Sequence, residues 1–408
     1  MIHVCFGLHD KTGRYSKLTG TAMLSIFENL SAPPQSTCIH ILHDNTLTTD
    51  NRDRFIYLAG RYNQLVKFYN VEQLCATELK EMIELIPQAK TSRLSVAALY
   101  RLLIPKILPS DIEKVIYLDS DIIVNLDISE LWSLDLGDKI FAAVPELPNT
   151  IEVKHRLCVH GLVKIEDYFN SGVLLMNVKR FLEEDIAIID GIKFIGNHSE
   201  YPYLDQEVLN YIFSCRYLKL STRFNRIIRW CRRQNEMHIK RKIYHFTGDT
   251  LQLDLNDEFN RLWMEYFTKT PWFNSEAMGR LMGQIYDNAR RTHVAFKNAM
   301  TTIADAVSGK TRVFLILEDY LDLVTKTFTL RDNEEIIFIE HGAPLQKIAD
   351  LMKTSRDKKI FFVMFPSFPF EAFVEAGFIY GKDFINVFEF LPNTDGDLLN
   401  SYQLIQAM

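Results

Sequence analysis

Several features common in other protein classes are missing from this sequence. No run of about 18 apolar residues occurs anywhere along its 408 residues, so no membrane span is expected. The six cysteines (Cys5, Cys38, Cys75, Cys158, Cys215, Cys231) include no C-x-x-C pair, which points to neither a zinc site nor a disulfide frame and fits a reducing compartment. Positive charge is not in excess: the formal net charge is -6, which argues against broad binding to nucleic acid. The start, MIHVCFGLHDKTG, has a short apolar strand but no basic region or long apolar stretch, so no signal peptide is read there and a cytoplasmic location is expected. Internal repeats and low-complexity segments are also lacking. What remains is the composition of a soluble globular protein, 47% hydrophobic and 24% charged, long enough for two or three domains.

The first 135 residues or so alternate strand and helix patterns. IHVCFG, TCIHILHD and QLVKFYNV read as strands, SKLTGTAMLSIFENL and RLSVAALYRLLIPKIL as helices, and the second helix leads into KVIYLDSD. Strands separated by helices imply parallel pairing with right-handed crossovers, hence an α/β layer fold. The middle adds FAAVPE, YFNSGVLLMNV, the helix LDQEVLNYIF, the strand KIYHFTG and a helical segment, DEFNRLWMEYFTKTPWF. Residues 274 to 310 read as a mixed helical and polar junction. A second alternation follows (RVFLILEDY, EEIIFIEHG, APLQKIADLMKT, KKIFFVMF, PFEAFVEAGF, DFINVFEFL), a small α/β unit of its own. Its one glycine-bearing turn after a strand, EHGAP, lacks the spacing of a dinucleotide-binding loop, and its aromatic-rich FPSFPFEAF is read as packing. The expected division is 1–273 and 274–408.

One stretch resists a purely structural reading. In KVIYLDSDIIV, Lys114 to Val124, an apolar run stops at Asp119 and Asp121 and then resumes as IIV. Asp and Ser end strands readily because they bond local backbone. Such a turn usually leads into polar sequence, and this one does not. Two carboxylates beside a low-dielectric core repel one another and need a shared cation when ionised. Magnesium and manganese favour one or two carboxylates together with phosphate oxygens. In α/β sheets ligands bind beyond the carboxyl ends of the strands, where FGLHD and YLDSD both deliver polar residues.

In order, the segments FGLHD, LYRL, YLDSDIIV, FNSGVLLMN, LDQEVLN and HFTG resemble the family 8 retaining glycosyltransferases. The resemblance runs from about Ile2 to Lys269. It implies a GT-A nucleotide-sugar-binding domain with a mixed, mainly parallel sheet, followed by a C-terminal α/β accessory domain. It also implies transfer of a hexose from a UDP-sugar to a glycan or glycoprotein acceptor, with Mn2+ (or Mg2+) and with retention of configuration. The length and the extra C-terminal unit are most similar to an adhesin-modifying branch, which favours galactose over glucose and a serine-rich glycoprotein adhesin as acceptor.

By the same resemblance, Asp119, Asp121 and His245 are the metal ligands, and Gly248 admits the donor diphosphate. Gly7, His9 and Asp10 cup the uridine, Tyr15 stacks on the base or packs against its helix, and Ser120 lies between the two metal-binding aspartates. Arg101 interrupts an apolar helix and calls for an anion, either a carboxylate or the diphosphate, unless it lies on a solvated face. Asn170, Ser171 and Gly172 face the sugar. Asp205, which without the family reads as an N-cap, binds sugar hydroxyls, and Gln206 faces the anomeric carbon. Gln206 is a neutral amide and a poor nucleophile, so attack from the front face is expected, with the departing phosphate taking the acceptor's proton.

One departure from the family stands out. Leu251 occupies the place of a diphosphate-binding lysine, leaving Arg229, Arg232 and Arg233 of RWCRRQN as substitutes unless that run is a solvated face. Two other readings stay open. A phosphatase-like hydrolase also places D-x-D at a strand end, although it favours Thr or Val where Ile123 stands. A non-catalytic glycan-binding or partner subunit of a glycosyltransferase complex would tolerate the missing lysine.

Overall fold

The computed structural model describes residues 1–31, 33–86, 96–146, 156–198, 201, 203–236, 238–248, 251, 256–306, 310–327, 330–340, 345–353, 359–364 and 370–386. The chain divides into two compact units, Met1–Phe273 and Asn274–Met408. Within the first, the strands are β1 (Ile2–Leu8), β2 (Thr37–His43), β3 (Leu65–Asn70), β4 (Lys114–Leu118), β5 (Ile122–Val124), β6 (Phe141–Pro145), β7 (Phe169–Asn177), β8 (Leu218–Lys219), β9 (Arg226–Ile227) and β10 (Ile243–His245). Seven of them form one sheet in the order β3-β2-β1-β4-β7-β6-β8. The β3-β2, β2-β1, β1-β4 and β6-β8 pairs are parallel, and β7 alone runs antiparallel to both of its neighbours.

The period of two along each strand explains why this sheet is buried on both faces. Val4, Phe6 and Leu8 of β1, Ile116 and Leu118 of β4, and Val173 and Leu175 of β7 enter one core. Their alternates Cys5, Val115, Tyr117, Leu174 and Met176 enter a second core on the other face. Near-continuous apolar strands are the mark of a sheet covered on both sides. The helix Arg14–Asn29 covers the first face with Leu18, Ala22, Met23 and Ile26, and the helix Leu204–Phe213 covers the second with Leu204, Val208 and Leu209.

KVIYLDSDIIV is two strands in two sheets. The chain leaves the seven-stranded sheet at Leu118, turns through Asp119–Asp121, and enters a separate three-stranded sheet, β5-β10-β9, at Ile122. The apolar IIV therefore returns to the core without continuing β4.

Two expected elements differ. The RLSVAALYRLLIPKIL helix is a 3₁₀ segment over Val96–Leu103 followed by one α-turn, Ile104–Ile107, with Pro105 at its start; Arg93 to Ser95 lie outside the described residues. The mixed junction after 274 is one continuous 32-residue helix, Ser275–Ala306. In the second unit, β11 (Thr311–Ile316), β12 (Glu335–Phe338), β13 (Lys359–Met364) and β14 (Phe384–Asn386) form an all-parallel sheet, β12-β11-β13-β14, with its own apolar core. The turn at 341–344 and residues 365–369 of FPSFPFEAF lie outside the described residues, while Phe373 is buried in that core as packing. No helix among the described residues is long and apolar enough to cross a membrane.

Candidate active site

The two-sheet crossover brings three predicted ligands together. Register pairs His245 of β10 with Ile122 of β5, the residue after Asp121. His245 Nε2 lies 3.1 Å from Asp121 Oδ1 and 3.7 Å from Asp119 Oδ2. One ligand atom from each of Asp119, Asp121 and His245 falls within 4.8 Å of the others. His245 Nδ1 lies 3.0 Å from Asn225 Oδ1 and can only donate to it, which leaves Nε2 to face the carboxylates. A ligating histidine is commonly oriented by such an outer partner. Burial works against charge on His245, yet the Asp121 and Asp119 carboxylates outweigh it and raise its pKa. The pocket thus demands positive charge between three donors, which suits a divalent ion bound by oxygen and imidazole.

Asn225 is also the start of a relay. Its Nδ2 donates to Asn170 Oδ1 (2.7 Å), Asn170 Nδ2 donates to Gln206 Oε1 (3.1 Å), and Gln206 Nε2 donates to Tyr168 Oη (3.0 Å). Gln206 Oε1 additionally accepts from the Ser171 amide at 3.1 Å. Both ends of the Gln206 amide are therefore held. Gly172 closes the geometry: a Cβ there would stand 2.3 Å from His245 Cε1 and 2.8 Å from Asp119 Oδ2, so only glycine lets β7 pass.

Arg101 is buried, and its place on a solvated face is overturned. Its guanidinium reaches Asp119 Oδ1 (2.8 Å), Asp205 Oδ2 (3.0 Å) and Ser171 O (2.7 Å), and stacks 4.4 Å from the centroid of Tyr117. Asp205 does not cap its helix: the helix begins at Leu204 after Tyr203, and the carboxylate turns to Arg101 and Ser171 Oγ (3.1 Å). Burial pushes the Asp205 carboxyl up to about 6, against the pull of Arg101 and with the repulsion of Asp119. Asp119 goes the other way. Burial would raise it, but Arg101 and His245 hold it below the usual carboxylate range.

The nucleotide-side residues are placed less uniformly. Asp10 is buried and spends both oxygens on the amides of Tyr15 (3.0 Å) and Ser16 (2.9 Å), holding the start of the first helix after Gly13. His9 Nδ1 pairs with Asp44, a buried carboxylate just past β2 that also accepts from Thr46 Oγ1 (2.5 Å) and Tyr100 Oη (3.1 Å). Burial acts to raise Asp44, but the hydrogen bonds of Thr46 and His9 prevail and lower it. Gly7 brings β1 against the Ala97 carbonyl. Tyr15 is 40% exposed, free to meet a planar ligand. Ser120 is buried with its Oγ accepting from Thr19 Oγ1 (2.8 Å), so its side chain serves the packing of the first helix.

Gly248 has the left-handed φ of +65°, and the Arg229 guanidinium lies 3.7 Å from where its Cβ would be. Arg232 pairs with Asp257 (2.8 Å), and Arg233 stacks on Trp230 (4.6 Å). Leu251 packs against the apolar core. Sequence reasoning missed Asn225, Asp44, Tyr100 and Tyr168; Tyr100 lies in LYRL, where attention went to Arg101, and each acquires its partner only through long-range folding.

Comparison with known proteins places the chain in a family and its fold among solved structures. A model of the family described as Glycosyl transferase family 8 matches residues 9–250. General stress protein A of Bacillus subtilis is 26% identical over 215 residues, 52% of this chain and 70% of that protein. Glycosyltransferase GlyE of Streptococcus pneumoniae is 35% identical over 127 residues, 31% of this chain and 27% of that one. The crystal structure of the galactosyltransferase LgtC with donor and acceptor sugar analogues superposes with a TM-score of 0.52 at 21% identity, over 68% of this chain and 99% of that chain, and shares the fold. With the family model covering more than half of its length, this chain belongs to glycosyl transferase family 8, on a GT-A-type α/β fold.

Proposed function

We propose that the chain transfers a hexose from a UDP-sugar to a glycan or glycoprotein acceptor, with retention of the anomeric configuration. The observation that carries this reading is the Asp119–Asp121–His245 cluster, with its imidazole pre-set by Asn225 at a sheet crossover. These residues fit Mn2+, or Mg2+ in its place; the ion would act as a Lewis acid towards the diphosphate leaving group. Arg101 binds both Asp119 and Asp205 and engages Asp119 through Oδ1, so that Asp119 presents Oδ2 to the cluster. Arg229, beside Gly248, is our candidate for the cation that Leu251 does not supply. Tyr15 is the candidate base-stacking residue, with His9 and Gly7 lining the same strand end.

Gln206 is held by Asn170, Ser171 and Tyr168 and is neutral, so it is suited to stabilising charge at the anomeric centre and unsuited to forming a glycosyl intermediate. Attack on the donor face fits best. The bond from anomeric carbon to phosphate oxygen breaks, the acceptor oxygen bonds to the same face, and its proton passes to the departing phosphate. The 1–273 unit is assigned the chemistry and 274–408 an accessory role in a cytoplasmic enzyme. Galactose ranks ahead of glucose, and a serine-rich adhesin ahead of other acceptors, on the sequence resemblance alone. The loss of the lysine to Leu251 favours the non-catalytic partner reading as the second choice.

One experiment separates these readings. UDP release from a panel of UDP-sugars is measured with Mn2+, with and without acceptor, and the anomer of any product is assigned by NMR. Turnover with one UDP-hexose and a retained anomer is expected. An inverted product would remove the front-face mechanism, and binding of UDP without turnover of any donor would favour the partner subunit.

A further inference from the structure

A second group of metal-ligating side chains lies away from the donor site. His3 of β1 is the register partner of Cys38 of β2, and His40 lies two residues beyond Cys38, so the strand period of two puts all three on one face of the sheet. They sit at the amino-terminal ends of strands whose carboxyl ends carry the donor site, four residues short of Gly7, or about 13 Å along β1. One donor atom from each falls within 4.8 Å of the others. His3 Nδ1 and His40 Nε2 face each other at 2.9 Å, and His40 Nδ1 lies 3.2 Å from Tyr69 Oη. Cys38 and His40 are buried, whereas His3 is only half-buried and leaves a way in.

The geometry suits zinc. Tetrahedral zinc with Zn–N bonds of about 2.0–2.1 Å spaces its nitrogen ligands by about 3.3 Å, so the two rings need to part by only a few tenths of an ångström. A histidine whose second nitrogen bonds an outer partner, as His40 does with Tyr69, is the usual form of a zinc ligand. Burial lowers the pKa of both His3 and His40, the latter to about 3, which keeps the imidazoles neutral as ligation requires. Burial raises the Cys38 thiol above its ordinary range and Lys67 offsets only part of that, so the thiolate forms with the metal. The absence of C-x-x-C does not bear on this site, because its C-x-H spacing belongs to a strand and its third ligand comes from the neighbouring strand.

We propose that His3, Cys38 and His40 form a second metal site, for zinc, that ties the amino-terminal ends of β1 and β2 together independently of the donor site. Binding takes one proton from the Cys38 thiol and requires the rings to carry their protons on His3 Nε2 and His40 Nδ1; the fourth position is left to water.

Cobalt(II) tests this on the full chain under reducing conditions, because a sulfur-to-cobalt charge-transfer band reports thiolate ligation and the Asp119–Asp121–His245 cluster contains no sulfur. Cobalt in excess of two equivalents, enough to fill the Asp119–Asp121–His245 cluster as well, should produce the band in the wild type and in Asp121→Asn, and zinc should bleach it. Cys38→Ser should abolish it. His3→Gln, at the half-exposed position, should weaken cobalt binding by at least about tenfold while the chain stays folded. No band in the wild type, a band that persists in Cys38→Ser, or unchanged affinity in His3→Gln would overturn the proposal.

Discussion

The two units follow the same building rule and differ in what they bury. Each has a sheet of mainly or wholly parallel strands with its own apolar core. Among the described residues of the second unit, the buried polar residues are Thr292 and Asp383, with an Arg312–Glu334 ion pair beside β11. Asp383 accepts from the Ile379 amide in a turn. Asp383 and the Arg312–Glu334 pair are thus met by backbone or by an opposite charge, as stability alone requires. In the first unit, Asp44, Arg101, Asp205, Gln206, Glu207, Asn225 and His245 are buried, and Asp119 and Asp121 face one another around an imidazole. Folding does not need like charges at one sheet edge, and they cost stability unless a cation resolves them. The contrast supports the proposed placing of the chemistry in the first unit, without any appeal to relatives.

The comparison breaks most sharply if the charges of the first unit are removable without loss. Asp119→Asn and Asp121→Asn should each lower metal-dependent donor turnover by about a thousandfold, because a Lewis-acid site is worth several kcal/mol to the leaving group. Steady-state assays in excess Mn2+ check this, and near-normal rates in both variants would remove the metal assignment. Arg101→Met is the next largest effect. It strands Asp205 and Asp119 beside the core and should cost about 3–5 kcal/mol in denaturant unfolding. The loss should be larger at pH 8 than at pH 5. Without Arg101 the buried Asp205 carboxyl rises further above its unfolded value, so folding favours its protonated form and that preference fades as pH rises.

How much of this was legible depended on distance along the chain. Asp119 and Asp121 stand out because their carboxylates are adjacent in sequence and flanked by apolar residues, and HFTG carries its histidine and glycine within four positions. Arg101 also announced itself as a charge in an apolar run, and it found the carboxylates it called for. Asn225 gives no local signal: TRFNRI looks like any loop, and its role exists only because β9 and β10 pair. Asp10 has a second role that its place at a strand end did not reveal: its carboxylate accepts from the Tyr15 and Ser16 amides and ties down the next helix. The long helix Ser275–Ala306 was in fact readable, with Met278, Leu281, Met282 and Ile285 at helical spacing. Its many polar residues obscured that period.

A smaller effect sharpens the comparison from the stability side. Glu207 is fully buried next to Gln206, and burial pushes its carboxyl up to about 8. Its folded pKa exceeds the unfolded value, so its contribution is fully present below the unfolded pKa and is lost as pH rises towards 8. Glu207→Gln removes this dependence. Relative to the wild type, the variant should gain stability with pH at up to about 1.4 kcal/mol per unit over that window, then level off. Urea unfolding at a series of pH values reads the difference, and parallel curves for the two proteins would mean that Glu207 is ionised in the folded state.

The smallest expected effect is no effect at all. If the first unit alone holds the donor site, a chain ending at Phe273 should bind UDP with Mn2+ within about twofold of the full chain's affinity. The division between the units falls at that residue, and the Asp119–Asp121–His245 cluster, Arg229 and Tyr15 all precede it. The cores that fix those residues are built wholly from positions before 273. Trp272 anchors the end of the segment, packing on Phe55 and donating from Nε1 to Asn51 Oδ1 (2.8 Å), so the cut must leave it in place. Calorimetry of UDP binding to both chains, after circular dichroism has established that the shorter one is folded, makes the comparison. A loss of acceptor transfer in the shorter chain would leave this conclusion intact, whereas a folded chain that no longer bound UDP would mean that residues beyond 273 complete the donor site.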